Sequence, residues 1–252
     1  MEVDAALFEF ALRLGDSALV LGQRISAWTG HAPVVEEDLA LTNVALDLVG
    51  QARLWLTLAG DVEGAGRDED RLAYYRDASE YRNVLLVERP NGNFADTIVR
   101  QFLFDTWHFY LLQRLGSSND ERVAGIAQKS VREVAYHVRR SGDWVVRLGD
   151  GTDLSRTRAQ AALDELWPYT GELFVPDAID RDVAERGIGC DLAALRDPWL
   201  RYVDGILADA TLARPKDGWM HAGGKSGRHT EQLGYLLAEM QSVRRSIPGD
   251  RW

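Results

Sequence analysis

Apolar residues recur along most of this chain with the 3.6-residue period of an α-helix. Leu7, Phe10, Ala11, Leu14, Ala18, Leu21, Ile25 and Trp28 predict a first helix over about 5–28. Leu12, Leu19 and Val20 are apolar on another side, which marks a helix covered on more than one face. A second helix over about 36–59 follows from Leu41, Val44, Ala45, Leu48, Ala52, Trp55, Leu56 and Ala59. Glu36, Glu37 and Asp38 load its first turn, where the helix dipole favours acids. Residues 60–70 read as a loop, 71–87 as a shorter helical piece and 90–93 as a turn. A third helix over about 94–115 carries Phe102, Phe104, Trp107, Phe109 and Tyr110, and a fourth over about 120–148 carries Val123, Ala127, Val131, Val134, Val138, Val145 and Leu148. Helices at about 155–173, 198–212 and 228–246 complete the pattern, with the acidic stretch 175–197 read as an irregular insertion.

No proline lies between Pro90 and Pro168, which suits long helices because an interior proline costs about 3 kcal/mol. Strand signals are nearly absent. The expectation is an all-α bundle in a single domain over 1–252, with the core bundle in about 5–148 and extra helices in about 155–246.

Composition narrows the functions open to such a bundle. The 252 residues carry 29 Lys and Arg against 39 Asp and Glu, a net charge of −10. That balance argues against broad binding to nucleic acid or to an anionic membrane, both of which need a basic face. No run approaches the ~18 apolar residues of a membrane span, and the acidic start Met1-Glu2-Val3-Asp4 does not read as a signal peptide. Cys190 is the single cysteine, so an internal disulfide framework and a multi-cysteine metal site are excluded. The expected location is the cytoplasm.

Chemistry in a helix bundle comes from polar side chains that project into its core. Four acids sit among apolar neighbours at helical spacing, one per long helix: Asp16, Asp47, Asp105 and Glu133, with His108 three residues after Asp105 and His137 four after Glu133. This is the outline of a di-iron carboxylate site, whose literal pattern is Glu, Glu-x-x-His, Glu, Glu-x-x-His. The chain departs from it. Gly50 stands where the second helix should carry histidine, Tyr136 stands there on the fourth, and three of the four acids are the shorter Asp. The residues alone leave open a working metal site, a metal-free polar core and ordinary surface pairs.

Several runs then carry a resemblance: Leu14-Gly15-Asp16, Gly30-His31-Ala32-Pro33, Asp47 through Arg53, Pro90-Asn91-Gly92-Asn93-Phe94-Ala95-Asp96-Thr97, and the ending from Gly223 through His229-Thr230-Glu231 and Ala238-Glu239-Met240-Gln241 to Pro248-Gly249 and Trp252. From Leu14 to Trp252 the chain resembles the C-subunit family of the bacterial phenylacetyl-CoA epoxidase, also called phenylacetate-CoA oxygenase. The resemblance implies a ferritin-like four-helix bundle with additional C-terminal helices. It also implies a structural, non-catalytic role beside an A subunit that carries the di-iron centre and holds phenylacetyl-CoA. A small B subunit and a reductase with flavin and iron–sulfur centres, fed by NADPH, would complete a monooxygenase complex that serves aerobic phenylacetate catabolism. On that reading this chain holds no catalytic residue, cofactor or metal of its own, and Asp16, Asp47, Asp105, His108, Glu133 and His137 are the vestige of an ancestral site. The rival is a di-iron oxygenase or ferroxidase that uses those six residues.

Two further segments are candidates. Glu80-Tyr81-Arg82-Asn83, just before apolar Val84–Val87, is a possible edge of a subunit or substrate contact. Gly223-Gly224-Lys225-Ser226-Gly227 is similar to a phosphate loop without satisfying the P-loop pattern, and offers a third reading, a CoA-binding module.

Overall fold

The computed structural model describes residues 4–247, so Met1–Val3 and the Pro248-Gly249 and Trp252 matches lie outside the described residues. Among the described residues every regular element is helical and none is a strand, an all-α fold in keeping with a ferritin-like helical bundle. The long helices are α1 (Ala5–Ser26), α2 (Val35–Glu63), α4 (Phe94–Leu115) and α5 (Glu121–Gly149). Shorter ones are α3 (Glu69–Tyr74), α6 (Asp153–Leu166), α7 (Ala178–Glu185), α8 (Arg196–Asp209) and α9 (Glu231–Ser246). None is long and apolar enough to cross a membrane.

The ends of the helices are set by local chemistry. Asp4 caps α1 by accepting from the Leu7 amide at 3.1 Å, and Asp120 caps α5 by accepting from Arg122 and Val123. Asn93 and Asp96 form a reciprocal capping box at the start of α4. Gly64 ends α2 in the left-handed region, at φ 66°, which glycine adopts without a Cβ penalty.

Four stretches differ from the pattern-based expectation. The loop expected over 60–70 shrinks to 64–68, because α2 continues to Glu63 and α3 starts at Glu69. The helix expected over 71–87 stops at Tyr74 and gives way to single 3-10 turns at Ala78–Glu80 and Leu85–Glu88. The run Val84–Val87 is buried on every side, so its apolar character reflects enclosure rather than a helical stripe. The stretch 175–197 is not irregular throughout, since Asp177 and Asp180 box the start of α7. The helix expected to reach 173 ends at Leu166, before Pro168, and continues only as 3-10 turns.

Contacts gather in two compact units. One runs through Glu88 and takes in the chain from Gly223 onward; the other is Arg89–Ala222. In the first, α1 and α2 form a hairpin that packs closely because α1 carries glycine where α2 presses in. A Cβ on Gly15 would stand 2.8 Å from the Leu56 side chain, and one on Gly22 would stand 3.2 Å from Val49. In the second unit α4 lies along α5, with α6 and α8 against them. Trp199 donates to the Leu103 carbonyl at 3.0 Å and Trp107 to the Leu173 carbonyl at 3.0 Å, which satisfies two large buried donors.

Candidate functional site: the buried carboxylates

Asp16 is completely buried on α1. The Arg76 guanidinium clasps it with two hydrogen bonds, one of 3.0 Å to Oδ2 and a shorter one to Oδ1. The Arg82 amide donates to Oδ2 at 2.8 Å. Burial works to lower the Arg76 pKa, but the charge and hydrogen bonds of Asp16 outweigh it and leave the pKa raised. Arg76 also donates to the Leu72 and Glu80 carbonyls and lies over the Tyr81 ring, 4.4 Å from its centroid. Tyr81 in turn accepts from Gln241, whose amide also reaches the carbonyls of Ala73 and Arg76 at 3.1 and 3.0 Å.

A second strut, not anticipated from the sequence, centres on Glu88. Its carboxylate is fully buried and accepts from Asn83 at 2.9 Å, from the Thr230 amide at 2.8 Å and from the Thr230 hydroxyl at 2.7 Å. His229 Nδ1 lies 2.5 Å from the same carboxylate and Nε2 lies 2.9 Å from the Tyr81 carbonyl. Both partners are acceptors, so the ring donates at both nitrogens as an imidazolium. Burial opposes that charge, but the Glu88 hydrogen bond and charge prevail and raise the His229 pKa. Arg24 fixes the Glu88 backbone from α1, donating to its carbonyl at 2.8 and 3.1 Å and to the Gln232 carbonyl at 2.9 Å.

These struts place the 80–83 candidates. Tyr81 and Asn83 are fully buried and serve the struts, Glu80 closes a capping box with Asp77, and half-buried Arg82 pairs with Glu9 at 2.9 Å. The glycines of 223–227 have a local reason as well. A Cβ on Gly224 would stand 2.2 Å from the Asn83 carbonyl, and one on Gly227, at φ 77°, 2.3 Å from the Ser79 carbonyl, so the loop presses directly on the 79–85 backbone.

The second unit holds a different kind of carboxylate. Asp105 on α4 is also completely buried. Gln101 donates to it at 2.5 Å, and the Ser141 hydroxyl lies 3.2 Å from its other oxygen. Burial pushes its pKa up to about 6, against the pull of the His137 and Arg140 charges and those two hydrogen bonds. His108, one turn on, is buried with no hydrogen-bond partner for Nδ1 among the described residues. Burial, aided by His137, holds its pKa down to about 3, so it is neutral. His137 is buried on α5, while Glu133 and, in the first unit, Asp47 are half-buried.

The donor set does not match a di-iron centre. Asp16 is already engaged by Arg76 and the Arg82 amide, and among the described residues no three of His, Cys, Asp and Glu gather closely enough to hold a metal ion. The arrangement acts as internal bracing: charged and polar struts that fix helices and the 76–88 segment in register.

An all-α chain braced by buried, hydrogen-bonded carboxylates is the class this structure defines. The chain matches the phenylacetic acid catabolic protein family over residues 1–252 and belongs to it. It is 49% identical over 246 residues to the C subunit of the 1,2-phenylacetyl-CoA epoxidase of Escherichia coli strain K12, a match that covers 98% of this chain and 99% of that relative.

Proposed function

We propose that this chain is the structural C-type component of a multicomponent phenylacetyl-CoA epoxidase in phenylacetate catabolism. The end-to-end 49% identity to the C subunit of such an enzyme is the observation that carries the reading. The engagement of Asp16 by Arg76 supports a role without chemistry, because a carboxylate held by a guanidinium is not offered to a metal. On this reading the chain binds no iron and works in the cytoplasm. It supports a catalytic A subunit, which carries the di-iron centre and holds the CoA thioester. A small B subunit and a flavin and iron–sulfur reductase complete the enzyme.

The test is co-expression with the catalytic subunit, followed by iron counting on each separated chain. Expected are co-elution of the two chains, near-zero iron on this one after anaerobic Fe(II) loading, and loss of epoxidation when it is omitted. Two irons bound here and lost on Glu133→Ala would move the chain to the enzyme class.

A further inference from the structure

The outer face of α5 carries a row of cations that form no ion pair among the described residues. Lys129, Arg132, Tyr136, Arg139, Asp143 and Arg147 are all exposed and step 3-4-3-4-4 along the helix. At about 100° per residue they fall within an arc of about 80°, and the row is about 27 Å long. The other exposed positions of α5 from 125 to 147 are uncharged, and half-buried Glu133 lies outside the arc. Acids outnumber bases 39 to 29 in this chain, and exposed arginines elsewhere find one. Arg186 pairs with Asp182 at 3.0 Å, Arg196 with Asp217 at 2.6 Å and Arg214 with Asp204 at 3.3 Å. Asp143 stands four residues from both Arg139 and Arg147, the spacing of a helical ion pair, yet both guanidiniums face aromatic rings instead. Arg139 lies 6.0 Å from the Tyr136 centroid and Arg147 lies 5.3 Å from that of Trp144, which Phe94 meets edge-on at 5.0 Å. Each ring steadies its cation, so less side-chain entropy is lost when a partner arrives.

We infer that this row is a docking face for the acidic surface of a different protein, a partner that comes and goes rather than a lasting subunit. Charge complementarity selects the occupant. Four carboxylates face Lys129, Arg132, Arg139 and Arg147, and a cation faces Asp143. Tyr136, 41% exposed at the middle of the row, supplies an aromatic anchor. A polyphosphate or nucleic acid fits less well, because its evenly repeated negative charge meets Asp143 with nothing to answer it. A second copy also fits less well. Turned against itself about a two-fold axis, the row sets cations against cations. Laid against the Glu36, Glu37 and Asp38 turn of another copy, it makes a head-to-tail contact, which runs on into filaments unless its rotation closes a ring. The row is about 10 Å wide, a footprint of about 270 Å². That is about a third of the ~800 Å² per side of a standard interface, and charge is depleted from the centre of lasting ones. Both properties suit a reversible encounter that salt weakens.

The experiment titrates the full chain with a synthetic helical peptide that carries Glu at the four facing positions and Lys opposite Asp143, and with a scrambled peptide of the same composition. Salt is set at about 0.02 M and then at about 0.15 M. The variants are Arg132→Glu/Arg139→Glu and, as a control of equal charge change at exposed cations off α5, Arg158→Glu/Lys216→Glu. Expected at low salt is a matched peptide bound about tenfold more tightly than the scrambled one. That preference is lost in the row variant with unchanged helical circular dichroism, kept in the control, and weakened by added salt. Exchanging the peptide's Lys for Glu weakens binding, and Asp143→Lys restores it. Should the charge reversal unfold the chain, Arg132→Gln/Arg139→Gln carries the same test. Equal affinity for the two peptides, or binding of neither, overturns the proposal. Inorganic polyphosphate of equal net charge that binds more tightly than the matched peptide overturns it in favour of a polyanion site. Wild-type oligomers in light scattering that the row variant abolishes assign the row to a second copy and overturn it as well.

Discussion

Asp16 and Asp105 are both wholly buried on long helices, and they are kept there in opposite ways. Asp16 meets a guanidinium and a backbone amide, so its charge is balanced on the spot. Asp105 has the side-chain amide of Gln101 and the hydroxyl of Ser141 as hydrogen-bond partners, with the positive charges of its surroundings acting at longer range. The first acid is a rivet, and the second is a group whose protonation changes near neutrality. Helical spacing announces that an acid points inward; it does not announce what the acid meets.

The largest effect should come from breaking the rivet. Asp16→Ala leaves the Arg76 guanidinium buried and unpaired, and should cost about 3–5 kcal/mol in urea unfolding. The double change Asp16→Leu/Arg76→Met should recover much of that loss, because neither charge then needs solvation. A single-variant cost below about 1 kcal/mol would show that the pair does not brace the fold.

Next in size is the pH response of Asp105. Unfolded, it ionises near 3.8; folded, it ionises only near about 6. The unfolded state loses its proton first, so this group lowers stability as pH rises from about 4 to 6, by up to about 3 kcal/mol. His108 tilts the other way: its folded pKa of about 3 lies below the unfolded 6.5, so stability falls as pH drops between those values. Asp105→Asn should therefore gain stability relative to wild type across pH 4 to 6 and hold a constant difference above it. A difference that does not vary with pH would mean that Asp105 is ionised throughout.

His229→Gln sharpens the comparison from the first unit. The folded pKa of His229 is raised, so its contribution is full below pH 6.5 and is lost as pH passes the raised folded value. The variant's deficit should shrink with rising pH in thermal melts, the reverse of a buried neutral histidine. Smallest is Arg53→Ala at the exposed pair with Glu69, expected to change stability by no more than about 0.5 kcal/mol.

The long helices were legible because their apolar periods extend over many turns and their capping residues are local. The predicted spans 94–115 and 120–148 fall within a residue of α4 and α5. The segment 71–87 was not legible, because Val84–Val87 is apolar for enclosure and Arg76 turns inward to a partner 60 residues away. For the same reason the candidate site was half readable. Asp16, Asp105, His108 and His137 are buried as their spacing implies, while Glu88 was missed. Its position after an apolar run was the available signal, but its meaning lies in His229 and Thr230, 141 and 142 residues further on.

That separation governs how the protein is made. Synthesis proceeds from the N-terminus, so α1, α2 and Glu88 emerge while His229 has yet to be translated. The whole of Arg89–Ala222 is threaded out before the first unit can be completed. Until then the Glu88 carboxylate has Asn83 but lacks its imidazolium and the Thr230 donors. The segment from Gly223 onward thus closes the first unit only after the second has been synthesised. A polypeptide cut short before His229 would leave the buried Glu88 carboxylate without its imidazolium and Thr230 partners.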